Sequence, residues 1–159
     1  MKNTQQKILV LHDIRSVLNV GAIFRTADSI GINKILISGI TPAPIDRFGR
    51  ERKDLHKTAL GSEKSVAWEQ VQNIEEKIKE LKTEGFEVVA LEQSPESVDY
   101  KEYKTTEKTV IILGREVEGV SQELLSLCDK ILEIPMNGEK ESLNVSVATG
   151  ILLYRLFDK

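Results

Sequence analysis

Lys7-Ile8-Leu9-Val10-Leu11-His12-Asp13 is a nearly unbroken apolar run that stops in polar residues. A strand with one wet face alternates apolar and polar side chains. A run without alternation belongs to a strand buried on both faces, as in parallel sheets covered by helices. Lys34-Ile35-Leu36-Ile37-Ser38-Gly39, Phe86-Glu87-Val88-Val89-Ala90-Leu91 and Lys108-Thr109-Val110-Ile111-Ile112-Leu113 read as further strands, with shorter ones at Val66-Ala67-Trp68 and Ile131-Leu132-Glu133-Ile134.

Between these runs the apolar spacing changes to that of helices. Val20, Ile23, Ala27 and Ile30 lie on one stripe of a helix from Asn19 to Ile32, with Asn19 at the cap position. Val71, Ile74, Ile78 and Leu81 mark an amphipathic helix from Glu69 to Glu84, stopped by Gly85, and Ser121 is placed to cap a helix from Gln122 to Cys128. From Val147 to Phe157 almost every residue is apolar, so this helix is expected to be enclosed on several sides. Strands alternating with helices indicate an α/β domain, a mainly parallel sheet with helices on both faces. Ligands of such sheets gather at the carboxyl ends of the strands.

A chain of 159 residues is long enough to bury one core without disulfides or a structural metal, so a single domain over 1–159 is expected. No apolar run approaches the roughly 20 residues of a membrane span, and the start, Met1 to Lys7, has no secretory apolar segment, which points to the cytoplasm. Cys128 is the one cysteine and reads as packing rather than as a nucleophile, while His12 and His56 are too few and too separated for a metal cluster. The formal charge of −3 gives no global attraction to nucleic acid, so any such binding must rest on a local patch or on the combined surface of a dimer.

Several polar groups stand at the expected strand ends. Gly114-Arg115-Glu116-Val117-Glu118-Gly119 is a glycine-bracketed loop without the middle glycine of a dinucleotide fingerprint or the Lys-Ser/Thr ending of a P-loop. Its glycines serve a ligand or only a turn. Ser142 and Asn144 precede the apolar helix, where they either cap it or present it to a ligand. Gly21 lies one turn before Arg25 and removes bulk beside the guanidinium; alternatively, Arg25 and Asp28 are a surface pair. Pro42, Pro44 and Gly49 exclude a regular element across 40–50. Arg47, Arg50, Arg52, Lys53 and Lys57 then cluster with Asp46, Glu51 and Asp54, either as a phosphate-binding surface or as a solvated mixed-charge face.

Taken together, three ordered segments resemble a known family. Asn19-Val20-Gly21-Ala22-Ile23-Phe24-Arg25-Thr26-Ala27, then Leu113-Gly114-Arg115-Glu116-Val117-Glu118-Gly119-Val120, then Ile134-Pro135-Met136 with Ser142-Leu143-Asn144-Val145-Ser146-Val147-Ala148, are similar to the motifs of the SpoU (TrmH-like) type of SPOUT RNA ribose 2′-O-methyltransferases. The resemblance runs from about His12 to the C-terminus. It implies S-adenosyl-L-methionine as cofactor, a C-terminal trefoil knot, tRNA or rRNA as partner rather than DNA or membrane, and a homodimer whose sites use both subunits. It also implies that Leu91, Glu92, Gly114, Ile134 and Leu143 line the cofactor pocket, and that Asn19, Arg25, Glu116, Ser142 and Asn144 are the functional polar positions. The RNA-binding domain and basic tail that extend some larger members are not within these residues, which leaves RNA choice open. A non-catalytic RNA-binding or assembly protein on the same fold is the alternative.

Overall fold

The structure is a computed structural model and describes residues 4–158; Met1 to Asn3 and Lys159, the ends of the expected domain, lie outside the described residues. Strands β1 (Gln6–His12), β2 (Lys34–Ser38), β3 (Ala67–Val71), β4 (Glu87–Leu91), β5 (Val98–Asp99), β6 (Lys108–Leu113) and β7 (Lys130–Glu133) form one seven-stranded sheet. The order is β3-β2-β1-β6-β4-β7-β5, with every pairing parallel. The helices are α1 (Val17–Ile30), α2 (Lys53–Ala59), α3 (Ser62–Ser65), α4 (Ile74–Thr83), α5 (Gln122–Leu125) and α6 (Val145–Phe157).

The unbroken apolar runs divide by residue parity, because successive strand side chains point to opposite faces. Leu9, Leu11, Ile35, Ile37, Ile111 and Leu113 pack with Val20, Ile23 and Phe24 of α1 and with Leu152, Leu153 and Leu156 of α6. Val10, Leu36, Val88, Val110 and Ile112 face the other way, against Ile74, Ile78 and Leu81 of α4 and Leu124 and Leu125 of α5. Helices therefore cover both faces, as the runs require. β1 and β6 lie centrally, so the loops that leave their carboxyl ends are neighbours.

Four local readings need correction. The first helix begins at Val17, and its cap is Ser16, whose Oγ accepts from Asn19 N at 3.2 Å; Asn19 sits inside the first turn and its side chain is free to look elsewhere. Glu69 to Val71 belong to β3, and α4 starts only after Asn73, whose side chain accepts from Glu76 N at 3.1 Å. The helix after Ser121 is one turn long, although Ser121 does cap it through Leu124 N at 3.3 Å. Gly21 is buried under α2: a Cβ there would lie 2.0 Å from Thr58 Oγ1 and 2.6 Å from Leu55 O. Its missing side chain lets α1 and α2 approach, and makes no room beside Arg25.

Helix α6 buries Thr149, Leu152, Leu153, Leu156 and Phe157. It is not enclosed on several sides within the single chain: Val147, Ile151 and Tyr154 stay 50%, 37% and 42% exposed, as does Leu18 of α1 at 54%. Tyr154 Oη donates to Ser29 Oγ at 2.9 Å, tying this apolar stripe to α1. Among the described residues no helix is long and apolar enough to cross a membrane.

Candidate active site

The site forms where the parallel strands end. β1 is followed at once by Asp13, whose backbone takes the left-handed conformation (φ 57°), a region that Asp tolerates better than most side-chain-bearing residues. This turn sends its carboxylate back among the strand ends. Asp13 accepts from Ile40 N at 3.0 Å after β2, and from Arg115 Nε and Nη2 at 3.2 and 2.9 Å after β6. Burial opposes ionisation of Asp13, but the Ile40 amide, Arg115 and the neighbouring His12 outweigh it and hold the carboxyl below its ordinary pKa. Arg115 is thereby aimed and fixed at the root of the glycine-bracketed loop.

That loop is closed on itself. Arg115 N donates to Gly119 O at 3.1 Å and Gly119 N to Arg115 O at 3.0 Å. A Cβ on Gly114 would come within 2.6 Å of Gly119 C, Gly119 O and Val120 N, so only glycine lets the two limbs touch. Gly119 has φ 71°, and a Cβ there would strike Glu92 Oε2, which accepts from Val120 N at 2.7 Å. Both glycines are thus demanded by closure of the loop over Glu92.

Beneath and beside it lies a cavity of about 270 Å³. Leu91, Glu92, Gly114, Ile134 and Leu143, the five positions expected to hold a cofactor, all line it, together with Gln93, Arg115, Met136 and Glu141. Its walls come from the ends of β4, β6 and β7 and from the approach to α6. Leu91, Leu113, Ile134, Met136 and Leu143 share the lining with Gly114 and Gly119, while Glu92, Glu116, Glu133 and Glu141 outnumber the single Arg115. This lining suits a ligand with an apolar body, hydrogen-bonding edges and positive charge. S-adenosyl-L-methionine meets that description: the base and ribose match the apolar and backbone surfaces, and the sulfonium and ammonium match the carboxylates.

The expected polar residues converge only in part. Glu116 accepts from Arg15 N at 3.3 Å and Ser16 N at 3.1 Å, at the start of α1, and also lines the cavity. Burial pushes its pKa up, but the Ser16 and Arg15 amides, its own amide and the Asn19 side chain pull it down further, and the net shift is downward. Asn144 Nδ2 donates to Asn19 Oδ1 at 3.2 Å, while Asn144 Oδ1 accepts from Ser146 N at 2.8 Å. Asn144 is therefore both the cap of α6 and the bridge to α1. Ser142 lines the cavity and takes no part in the cap.

Arg25 stands apart. It is exposed, two turns along α1 from Asn19, and is absent from the cavity wall. The expected surface partner Asp28 is instead engaged by Ser65 Oγ at 2.9 Å. Arg25 shares a helical face with Leu18, Ala22 and Ser29, and Ser29 on that face accepts from Tyr154 of α6.

The basic cluster occupies the segment from β2 through α2. Arg50 pairs with Asp46 at 3.1 Å and Arg52 with Asp54 at 3.3 Å, whereas Arg47, Lys53 and Lys57 form no ion pair among the described residues. Arg115 and Asp13 escaped sequence reasoning, since nothing local marks an aspartate and an arginine 102 positions apart as partners. Cys128 is half-buried and its Sγ–H donates to Leu124 O; burial and Asp129 push the thiol up to about 12, so it is inert packing.

Comparison with known proteins gives the site a context. The family model described as the SpoU rRNA Methylase family matches residues 6–154. A tRNA (guanosine(18)-2′-O)-methyltransferase of Aquifex aeolicus is 37% identical over 97% of this chain and 70% of its own length. A protein of the same name from Escherichia coli K12 is 35% identical over 86% of this chain and 56% of its own. The structure of an AdoMet-bound rRNA methyltransferase from Sinorhizobium meliloti superposes with a TM-score of 0.84 at 29% identity, over 94% of this chain and 55% of that one. The chain thus spans little more than half the length of two of these relatives. With the family match running across nearly all of the described residues, the chain belongs to the SpoU rRNA Methylase family.

Proposed function

We propose that this chain is a single-domain RNA ribose 2′-O-methyltransferase that uses S-adenosyl-L-methionine and acts on tRNA. The observation that carries this reading is the closed Gly114–Gly119 loop, which puts Glu116 on the cavity wall and, through the α1 amides, beside the Asn19–Asn144 pair. tRNA is preferred over rRNA because the two curated relatives above are named for tRNA. S-adenosylmethionine, when bound, supplies a methyl group already activated on a positively charged sulfur. The protein's own task is then alignment of a ribose hydroxyl and stabilisation of its developing negative charge.

Leu91, Ile134 and Leu143 supply apolar contact for the cofactor, and Glu92 and Gly114 the backbone edge. Glu116 and Asn19 orient the start of α1, while Ser142 and Asn144 hold the ribose side of the cavity. Arg25 fixes an RNA phosphate and stabilises the 2′ oxygen as its proton leaves to water or another group. A guanidinium already carries its full complement of protons and has no free lone pair, so it is unsuited to take that proton itself. Arg47, Lys53 and Lys57, with Arg50 and Arg52 behind their carboxylates, contribute phosphate contacts.

Within one chain Arg25 lies away from the cavity, which supports a homodimer. Val147, Ile151, Tyr154 and Leu18 present an apolar stripe beside Arg25, and a two-fold contact there would hide the stripe and carry Arg25 toward the partner's cavity. An Ile151→Asp variant that stays dimeric in light scattering would refute this arrangement. The knot belongs to the proposal as well: the loops that follow β4, β6 and β7 and the start of α6, successive segments of the chain, close together around the cavity. The cytoplasm, where tRNA is modified, is the proposed location, tested by fractionation of cells expressing the tagged protein.

The test of function is transfer of labelled methyl from S-adenosylmethionine to unmodified tRNA and, separately, rRNA, with nucleoside analysis. A 2′-O-methylated nucleoside formed by the wild type and lost in Arg25→Ala is the expected result. No transfer to either RNA together with no binding of the cofactor would favour a non-catalytic RNA-binding or assembly protein on this fold.

A further inference from the structure

The loop between β2 and α2 carries Asp46-Arg47-Phe48-Gly49-Arg50. Phe48 is 67% exposed, the most open aromatic side chain among the described exposed hydrophobics. It is held in that position by the backbone around it. Asp46 Oδ1 accepts from Phe48 N at 2.8 Å and Arg50 N at 3.0 Å, Asp46 N donates to Arg50 O at 2.8 Å, and Gly49 turns the tip with φ 78°. An antiparallel bridge between Ile45 and Glu51 closes the base. The ring is thus presented on a tied loop, and little order need be gained when something binds it.

Two guanidinium groups accompany the ring, Arg47 at 4.8 Å and Arg50 at 5.0 Å from its centroid. Both guanidiniums lie over the exposed ring, and the three planar groups together match a nucleobase flanked by phosphates: bases stack on aromatic rings and on guanidinium planes, while the positive charge meets the backbone. The surroundings fit a polyanion. Residues 46–57 hold five Arg or Lys against three Asp or Glu, in a chain whose net charge is −3. The loop also springs from the catalytic edge of the sheet, since Ile40 N, at its start, is bound by the same Asp13 that anchors Arg115 at the cavity.

We propose that Phe48, flanked by Arg47 and Arg50, is a stacking platform for an unpaired nucleotide of the RNA substrate. The inference rests on the RNA methyl-transfer reading and adds to it a base contact that the charged residues alone do not provide. It selects single-stranded or looped RNA, because a base inside a duplex has no free face.

The test uses the full chain and three fluorescent probes: a 12-nucleotide single-stranded RNA, a blunt RNA duplex of the same length, and an unmodified tRNA transcript. Phe48→Ala should weaken binding of the single strand and the transcript about tenfold. Duplex binding, cofactor affinity and melting temperature should stay as in the wild type. Because no charge is removed, the slope of affinity against salt should also be unchanged, whereas Arg47→Gln should lower it. Phe48→Trp should restore binding and Phe48→Leu should not. Phe48→Ala binding within twofold of wild type, or Phe48→Leu binding as well as wild type, would overturn the proposal. If such variants behave like a wild type that methylates tRNA, the stacking inference fails and the enzymatic reading stands. If the wild type neither binds nor methylates any RNA, both fall.

Discussion

Replacing Gly114 by alanine tests the closed loop with a single methyl group. The new Cβ would sit 2.6 Å from Gly119 C, Gly119 O and Val120 N, all backbone atoms, so no side chain can swing aside. Forcing the loop to stay shut against that overlap costs about 1–3 kcal/mol, as overpacking does elsewhere. Opening it breaks the two Arg115–Gly119 backbone hydrogen bonds, at about 1 kcal/mol each, and loosens Val120 N from Glu92. Either route comes to about 2–3 kcal/mol. For a chain of this size the melting temperature should fall by roughly 5–10 °C. A cofactor that needs the closed loop must supply whatever strain opening has relieved, which weakens its affinity by up to roughly 150-fold at 1.4 kcal/mol per factor of ten. Titration calorimetry with S-adenosylmethionine and a thermal melt of the same preparation measure both. Binding within threefold of wild type, with melting unchanged, would refute the reasoning that the Gly114–Gly119 closure shapes the cofactor site.

Other expectations concern residues with separate jobs. Arg25→Lys keeps the charge but loses the planar fork, so turnover should drop at least about tenfold while cofactor affinity and melting hold; near-normal turnover would remove Arg25 from the mechanism. Gly21→Ala would normally stabilise a helix by up to about 1 kcal/mol. Here the contacts with Thr58 and Leu55 should reverse the sign, to a net loss of about 1–2 kcal/mol in urea unfolding. Asp13 and Glu116 both have folded pKa values held below their ordinary ones. The stability they contribute is therefore complete above the unfolded values near 4 and is lost as pH falls through the folded ones. Asp13→Asn, which still tolerates the left-handed turn, should melt lower than wild type at pH 7 and decline less steeply between about pH 5 and 3; an unchanged acid slope would show that Asp13 does not carry that dependence.

The sequence was most legible where one element states its own needs. Unbroken apolar runs implied buried parallel strands, and the structure divides their side chains by parity between the two cores. A capping signal was also available and passed over: Asn73 with Glu76 three positions on marks the true start of α4, yet the apolar spacing of Val71 drew the expected helix back into β3. Ser16 and Asn19 posed the reverse problem, since two cap-forming side chains lie three apart and only tertiary need frees the second. β5, two residues long, leaves no pattern to read.

By itself, then, the sequence determined the layers and the loops at the strand ends, and resemblance across three motifs singled out five positions that the structure places on the cavity wall. These are matters of local spacing and residue type. The tertiary structure alone decided who meets whom: Asn19 with Asn144, Glu116 with the start of α1, Asp13 with Arg115, Gly21 with α2, and Arg25 with none of the cavity. Those partners lie far apart in the chain, or on helices whose crossing no periodicity encodes. They meet because β6 is laid beside β1, and that choice of neighbour is made by the packing of the whole sheet.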